Sequence, residues 1–228
     1  MSSHYYKDKL YPLQDNVLQL AGTIDSPFYL TGGTLLGRFI LNHRYSDDLD
    51  FFVNDSPDFS NEVKRMMEPI LAYYPEVNLV TFQDSFVRYM VVESGIQLKI
   101  EFINDVRYRV GQLQRNDIGV LIDTWMNVLS NKVTALSRYA AKDIVDIVFL
   151  SHKYSFNWEE VFDHAKKKDA FINEIDASKY LNDFDLNRLN EVSFPETFDT
   201  TRISKNVLDI LARESLHGFD NSLYGRKL

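Results

Sequence analysis

The chain has 228 residues, of which 45% are hydrophobic and 14% aromatic, and its formal net charge is −8 at pH 7. This much apolar material is enough for one large domain or two small ones. The negative charge disfavours a polyphosphate partner except at a local basic patch or a bound divalent metal ion. The absence of cysteine excludes disulfides, thiolate zinc sites and a cysteine nucleophile.

Apolar runs are short throughout the chain. None approaches the roughly 20 residues that a membrane-spanning helix requires. The first residues, MSSHYYKDKLYPL, lack the charged and then apolar layout of a signal peptide. We therefore expect a cytoplasmic protein with no membrane partner.

The first half of the chain alternates strand-like and helical patterns. Strands are predicted over 27–30, 49–53, 77–82, 86–93 and 97–103, and helices over 34–41 and 58–74, the second interrupted by Pro69. Residues 105–122 show no decisive pattern. The second half predicts helices over 124–138, 141–154, 158–168, 176–182 and 201–213. We therefore expect an α/β (α+β) fold with an α/β part over 1–123 and a helical domain over 124–228.

Two carboxylates, Asp48 and Asp50, are separated by one residue on a predicted strand. Side chains alternate along a strand, so both face one way while Leu49 faces the core. Carboxylates about 7 Å apart repel each other unless a cation lies between them. Mg²⁺ (or Mn²⁺), which takes oxygen ligands, is the natural occupant. An edge strand with one solvated face gives the same pattern and remains the alternative.

A third carboxylate, Glu101, lies on the predicted strand over 97–103 and shares one face with Lys99. If this strand pairs beside Asp50, three acids converge, enough to hold two metal ions about 3.5–4 Å apart. Lys99 is then predicted to contact the nucleotide. A cross-strand salt bridge from Glu101 to a neighbouring Lys or Arg is an equally good explanation.

A glycine turn, Gly32-Gly33-Thr34, stands at a predicted strand-to-helix junction. Two glycines let the backbone approach an anion closely, and a helix N-terminus favours negative charge. A plain tight turn with a capped helix explains the same residues. Combined with the acids, the turn predicts a site in which a hydroxyl attacks the α-phosphorus of a nucleoside triphosphate and pyrophosphate leaves.

The segments Gly32–Thr34 and His43–Phe51 together resemble the nucleotidyltransferases of the DNA polymerase β superfamily. The strongest resemblance is to the AbiEii/AbiGii-like toxin branch, which is associated with abortive infection and type IV toxin–antitoxin systems. It implies a nucleotidyltransferase core of a mixed sheet flanked by helices over residues 1–123. The third acid of this branch is commonly Asp, and Glu101 takes its place here.

A second similarity lies in 132–146, at the start of the helical half. The resemblance implies that Lys132 reaches the nucleotide phosphates, and that Asp143 and Asp146 lie near the nucleotide or the second substrate. Solvated charges or helix–helix ion pairs explain these residues as well. Near the acids, Arg44 is expected to orient them or contact phosphate, and Ser46 to fix the loop.

These residues predict a metal-dependent nucleotidyltransferase with an NTP substrate. The resemblance implies RNA, such as a tRNA end, or a protein as the acceptor, and an antitoxin protein as a partner. A small-molecule acceptor, as in antibiotic-modifying relatives, is the enzymatic alternative. A non-catalytic nucleotide-binding or partner-binding protein is the alternative of a different class.

Overall fold

The structure is a computed structural model that describes residues 3–196 and 198–226. The chain divides into two compact units. The first comprises the described residues up to Phe39 together with Tyr45–Arg107 and Gln112–Asp123. The second comprises Ile40–Arg44, Tyr108–Gly111 and the described residues from Thr124 onward. Two short segments, 40–44 and 108–111, therefore pack with the helical part of the chain.

A mixed sheet is the centre of the first unit. In the described part of the chain its seven strands are β1 (Tyr29–Thr31), β2 (Leu49–Asn54), β3 (Val77–Phe82), β4 (Phe86–Glu93), β5 (Ile96–Asp105), β6 (Gln114–Arg115) and β7 (Leu121–Ile122). Their spatial order is β3-β4-β5-β2-β1-β7-β6. The β2–β5 and β1–β7 pairs are parallel and the others antiparallel.

Burial alternates along the central strands. In β2, Leu49, Phe51 and Val53 are buried while Asp50 and Phe52 are partly exposed. The apolar faces of the strands carry the core of the unit, since an alternating strand buries one side only. The structure begins β2 at Leu49, so Asp48 lies one residue before the strand on which the sequence predicted it.

Helices complete the first unit. They are α1 (Ser3–Tyr5), α2 (Tyr11–Gly22), α3 (Gly32–Thr34) and α4 (Phe59–Tyr73), with π-helical segments over Tyr6–Leu10 and Leu35–Ile40. The helical segment from Ser3 to Gly22 was not predicted, although Leu10, Leu13 and Val17 follow helical spacing and are buried. The unassigned stretch 105–122 contains β6 and β7 and the end of β5.

The second unit is helical. Its helices are α5 (Trp125–Thr134), α6 (Ala141–Lys153), α7 (Trp158–Lys166), α8 (Glu174–Asn182) and α9 (Lys205–His217), with 3₁₀ turns over Ala135–Arg138, Leu186–Glu191 and Thr200–Arg202. Side chains cap four of these helices at their N-termini, because each accepts a backbone N–H of the first turn. The capping residues are Thr124, Asn157, Asn173 and Ser204.

The α/β (α+β) fold class predicted from the sequence is confirmed by this mixed sheet and its helices. Among the described residues, every helix is too short or too polar to cross a membrane.

Candidate active site

A row of polar residues crosses the sheet of the first unit. Asp50 on β2 is in register with Glu101 on β5 and, on its other side, with Thr31 at the end of β1. Residues in register on adjacent strands project from the same face of a sheet. The strand that carries Glu101 therefore does pair beside Asp50, as convergence of the acids required, and the two residues lie side by side.

Lys99 lies between two of the acids. Its Nζ is 2.9 Å from Asp48 Oδ2 and 3.3 Å from Glu101 Oε1. Burial alone would lower the pKa of Lys99, but the two carboxylates outweigh it and raise the pKa above its usual value. The Lys99 ammonium therefore lies between Asp48 and Glu101, two of the carboxylates that were predicted to hold metal ions.

Glu101 has a second cationic partner across the β4–β5 pair. Arg88, its register partner, places Nη2 2.5 Å from Glu101 Oε1 and donates from Nε at 2.7 Å. Burial favours the neutral carboxyl, yet Lys99 and Arg88 outweigh it and hold the pKa of Glu101 below its usual range. The cross-strand salt bridge considered as the alternative for Glu101 is thus present.

The glycine turn packs directly against Asp50. Gly32 has φ +67°, and a Cβ placed on it would lie 2.5 Å from Asp50 Oδ2. Glycine is required at this position for two reasons, the left-handed backbone and the close approach of the carboxylate. Gly33 follows it as the second residue of α3. The turn therefore sets the place of the Asp50 carboxylate.

Two side chains, Thr34 and Gln14, donate hydrogen bonds to the backbone that leads into β2. Thr34, fully buried, donates its hydroxyl to the backbone carbonyl of Asp48. Ser46 is also buried, and its backbone carbonyl accepts from Gln14 Nε2 at 3.1 Å. These two bonds anchor the backbone at Ser46 and Asp48, the segment that leads into β2.

One acid of this site was missed in the sequence. Asp123 follows β7, is buried, and accepts a hydrogen bond of 2.7 Å from the hydroxyl of Thr31. Its backbone N–H donates to Leu30 at 3.0 Å, which continues the β1–β7 pairing by one residue. Asp123 directly follows the stretch 105–122 that the sequence left unassigned, so no strand pattern signalled that it would lie beside the turn.

A separate cluster of buried charges lies in the second unit, around Asp146. The carboxylate accepts from His43 Nε2 at 2.7 Å and from Arg44 Nε at 2.7 Å and Nη2 at 2.8 Å. Lys132 Nζ is 2.7 Å from both Asp146 Oδ2 and Asp143 Oδ1. The ion pairs considered as the alternative for these residues are therefore present.

The charges of this cluster stabilise one another. Burial would raise the pKa of Asp146, but Arg44, Lys132 and the His43 hydrogen bond hold it well below its usual range. Burial would lower the pKa of Lys132, and the two aspartates raise it instead. Burial prevails at His43, whose pKa is lowered, so its ring is neutral at pH 7.

Comparison with known proteins gives the family. Residues 19–216 match the family model described as "Nucleotidyl transferase AbiEii toxin, Type IV TA system". The chain belongs to the AbiEii nucleotidyltransferase toxin family. The resemblance noted in the sequence is thereby confirmed over most of the chain.

Relatives of this AbiEii-family chain include the uncharacterized protein aq_aa25 of Aquifex aeolicus (strain VF5). The two are 30% identical over 156 residues, which cover 64% of this chain and 68% of that protein. Two Helicobacter pylori crystal structures share the fold at 20% identity: JHP933, with a TM-score of 0.62, and a "putative nucleotidyltransferase", with a TM-score of 0.63. Each alignment covers 95% of this chain, and 94% and 96% of the respective H. pylori chains.

The predicted site residues of this AbiEii chain fall into two sets. The first unit holds Gly32, Gly33, Thr34, Ser46, Asp48, Asp50, Lys99 and Glu101. The second unit holds Arg44, Lys132, Asp143 and Asp146 in the buried cluster. The roles of both sets in catalysis and nucleotide binding stay predictions.

The acids of the first set fit a hard divalent cation in donor chemistry, because all three are carboxylates. Their side chains are not arranged as the ligands of a metal ion in this structure. Within residues 3–196 and 198–226, no group of three or more His, Asp or Glu side chains is placed to hold a metal ion. Glu101 pairs with Lys99 and Arg88, and Asp48 pairs with Lys99, so the metal ligands stay a prediction.

Proposed function

We propose that this protein transfers a nucleoside monophosphate from an NTP to an acceptor hydroxyl and releases pyrophosphate. The observation that carries the proposal is the row of Thr31, Asp50 and Glu101 on three neighbouring strands, with the glycine turn directly after Thr31. A turn suited to phosphate and a pair of carboxylates suited to Mg²⁺ are then adjacent. Membership in a nucleotidyltransferase family supports the same reaction.

Each group has a role that follows from its place. Backbone amides at Gly32 and Gly33, at the start of a helical stretch, receive the β- and γ-phosphates. Asp48 and Asp50 would hold Mg²⁺ or Mn²⁺, which neutralises charge on the reacting phosphate when bound. Lys99 stands beside Asp48 and supplies a further positive charge to the phosphates.

The reaction exchanges one phosphorus–oxygen bond for another. The acceptor oxygen bonds to the α-phosphorus and the bridging bond to the β-phosphate breaks. The proton of the hydroxyl leaves to solvent or to a nearby carboxylate. Little covalent help is needed from the protein, because such transfers depend on positioning and on charge neutralisation.

We further propose that the protein acts as the toxin of a type IV toxin–antitoxin system, with RNA such as tRNA, or a protein, as its acceptor. The family description supports this role and an antitoxin partner. Induced expression of the wild type should slow growth, and expression of Asp50→Ala to the same level should not. Equal growth of the two strains contradicts the toxin role.

Metal-dependent NTP binding, which the proposed reaction requires, is tested by titrating the protein with each NTP in the presence and absence of Mg²⁺. The wild type should bind one or more NTPs in a metal-dependent manner, and Asp48→Asn and Asp50→Asn should lose this dependence. Asp47→Asn, an exposed neighbour, is the matched control and should bind as the wild type does. Metal-dependent binding that survives both substitutions contradicts the proposal.

An aminoglycoside-type acceptor is the enzymatic alternative. Adding such a compound in place of RNA should release no pyrophosphate from an RNA-specific enzyme. Release of pyrophosphate with the small molecule alone would assign the protein to the small-molecule nucleotidyltransferases.

A further inference from the structure

Three consecutive backbone carbonyls just before β2 accept hydrogen bonds from side chains. Gln14 Nε2 donates to the carbonyls of Ser46 and Asp47, at 3.1 and 3.2 Å. The third carbonyl, that of Asp48, accepts from the hydroxyl of Thr34. We propose that Gln14, on α2, is a positioning residue that sets the place of Asp48 in the reaction centre. The inference rests on the proposed nucleotidyl transfer and adds a residue that was not predicted from the sequence.

The acids Asp48 and Asp50 are held in different ways. Asp50 lies within β2, between β1 and β5, and has a register partner on each of them. Asp48 lies outside the strand, since the β2–β5 register begins at Leu49. The sheet pairing thus ends one residue short of Asp48, so the side-chain bonds to 46–48 set its place.

The amide of Gln14 is buried and uses both its donors and its acceptor. Its Nε2 faces two carbonyls, which can only accept, and its Oε1 accepts at 3.1 Å from Arg38 Nη1, which can only donate. The partners therefore determine which end of the amide faces which way. A glutamate would lack the donors, and a methionine of similar length would lack the donors and the acceptor.

Arg38 brings the other half of the site into the same network. It lies in the π-helical segment Leu35–Ile40, which directly follows the glycine turn. Its guanidinium lies over the ring of Tyr11, with Cζ 4.3 Å from the ring centroid. The hydroxyl of Tyr11 accepts in turn from the backbone N–H of Ser46 at 3.3 Å. The network therefore connects the segment after the turn to the segment that carries the acid.

The residue before Ser46 is held by the same N-terminal part of the chain. The ring of Tyr45 stacks on that of Tyr6, with centroids 4.3 Å apart and planes 6° from parallel. The Tyr45 hydroxyl lies 2.7 Å from Ser3 Oγ. These contacts hold one end of the segment and β2 holds the other, so Gln14 supplies the contact in the middle.

The test compares Gln14→Met with Val17→Ala in the full chain. Gln14→Met keeps the length of the side chain and removes its hydrogen bonds. Val17→Ala opens a cavity at a buried position of the same helix and is the control for lost stability. In Gln14→Met, hydrogen exchange in the peptide that covers 45–48 should be faster on the order of 10-fold, as loss of two hydrogen bonds predicts. Val17→Ala should leave that peptide as in the wild type.

Transfer assays at saturating Mg²⁺ separate positioning from stability. The kcat of folded Gln14→Met should fall about 10- to 100-fold, as a misplaced reacting group predicts, and the KM for the NTP should not change. Val17→Ala should keep the wild-type kcat per folded molecule. Arg38→Met removes one bond to the amide and should change both readouts in the same direction but less. It carries the test if Gln14→Met does not fold.

Unchanged exchange at 45–48, or a wild-type kcat in folded Gln14→Met, overturns the role of Gln14. An equal loss of kcat per folded molecule in Val17→Ala would assign the effect to the stability of α2 and overturns that role as well. Absence of transfer by the wild type from every NTP contradicts the proposed reaction itself, and the role of Gln14 in it falls at the same time.

Discussion

Two clusters of acidic and basic side chains, one in each unit, contrast in their access to solvent. In the first unit, the side chains of Asp48 and Lys99 are 26% and 29% exposed. In the second, those of Asp146 and Arg44 are 0% and 3% exposed. Both clusters pair carboxylates with basic side chains, but only the first cluster can exchange its partners for a substrate without unfolding its surroundings.

The contrast separates two uses of charge. Asp146 has four protein contacts from His43, Arg44 and Lys132, so its lone pairs are used within the protein. A buried carboxylate with this many partners holds segments 40–44, α5 and α6 together. Asp48 and Glu101 instead share one lysine at a partly exposed face. Substitutions in the first cluster should therefore change activity, and those in the second should change stability.

The largest stability effect is expected for Asp146→Ala. It leaves Arg44 and Lys132 buried with one carboxylate fewer, and it should reduce the free energy of unfolding by about 3–5 kcal/mol. Arg138→Ala removes an exposed partner of Asp143 and should cost at most about 1 kcal/mol. Chemical denaturation measures both. Equal stability of the two variants would contradict the structural role of the buried cluster.

A pair of glycine substitutions separates strain from site geometry. Gly32 and Gly95 both have positive φ, so alanine at either should cost about 1–2 kcal/mol of stability. Only at Gly32 does the new Cβ meet Asp50, while nothing lies within 4 Å at Gly95. Gly32→Ala should therefore slow transfer on the order of 100-fold, as misplacement of a reacting group does, and Gly95→Ala should not. Initial rates at matched folded fractions decide the comparison.

Lys99 is expected to compete with a metal ion for the acids. Replacing it in Lys99→Met removes the cation between Asp48 and Glu101, so Mn²⁺ should bind about 2- to 5-fold more tightly. Lys64→Met makes the same charge change at an exposed position on α4 and should leave the affinity unchanged. Calorimetry without nucleotide gives both constants. Weaker Mn²⁺ binding in Lys99→Met would contradict competition.

The smallest expected effect concerns pH. Burial lowers the pKa of His43 in the folded protein below 6.5, so below that pH the unfolded chain binds a proton that the folded protein does not. Stability should therefore be full above pH 6.5 and fall as the pH drops toward the folded pKa, by at most about 1.4 kcal/mol per pH unit for this group. Burial lowers the pKa of His152 in the same direction.

Unfolding curves between pH 7 and 5, in His43→Gln and in the His152→Gln comparison variant, measure the two contributions. Each variant should have a shallower pH dependence of unfolding free energy than the wild type. An unchanged slope in His43→Gln would show that the ring binds protons equally in the folded and unfolded states, and would contradict the lowered pKa.

The sequence predicted the parts of the site that depend on local pattern. Alternation along β2 and β5 placed Asp50 and Glu101 on polar faces, and two adjacent glycines predicted the turn. It did not choose between metal and salt bridge at Glu101, because that depends on the β4–β5 register that brings Arg88 opposite.

Contacts between distant residues were beyond the sequence patterns. Arg44 and Asp146 are 102 residues apart, and Thr31 and Asp123 are 92 apart, so no local spacing connects either pair. The helix α2 was missed for a different reason. Its buried positions do follow helical spacing, but no helix was predicted over them.

The most direct test of this account is the transfer of labelled nucleoside monophosphate to RNA by the wild type and by Asp50→Asn. The account predicts Mg²⁺-dependent labelling by the wild type, a loss on the order of 1,000-fold in Asp50→Asn, and unfolding curves that coincide. Labelling by Asp50→Asn at the wild-type rate would contradict the assignment of the row across β1, β2 and β5 as the reaction centre.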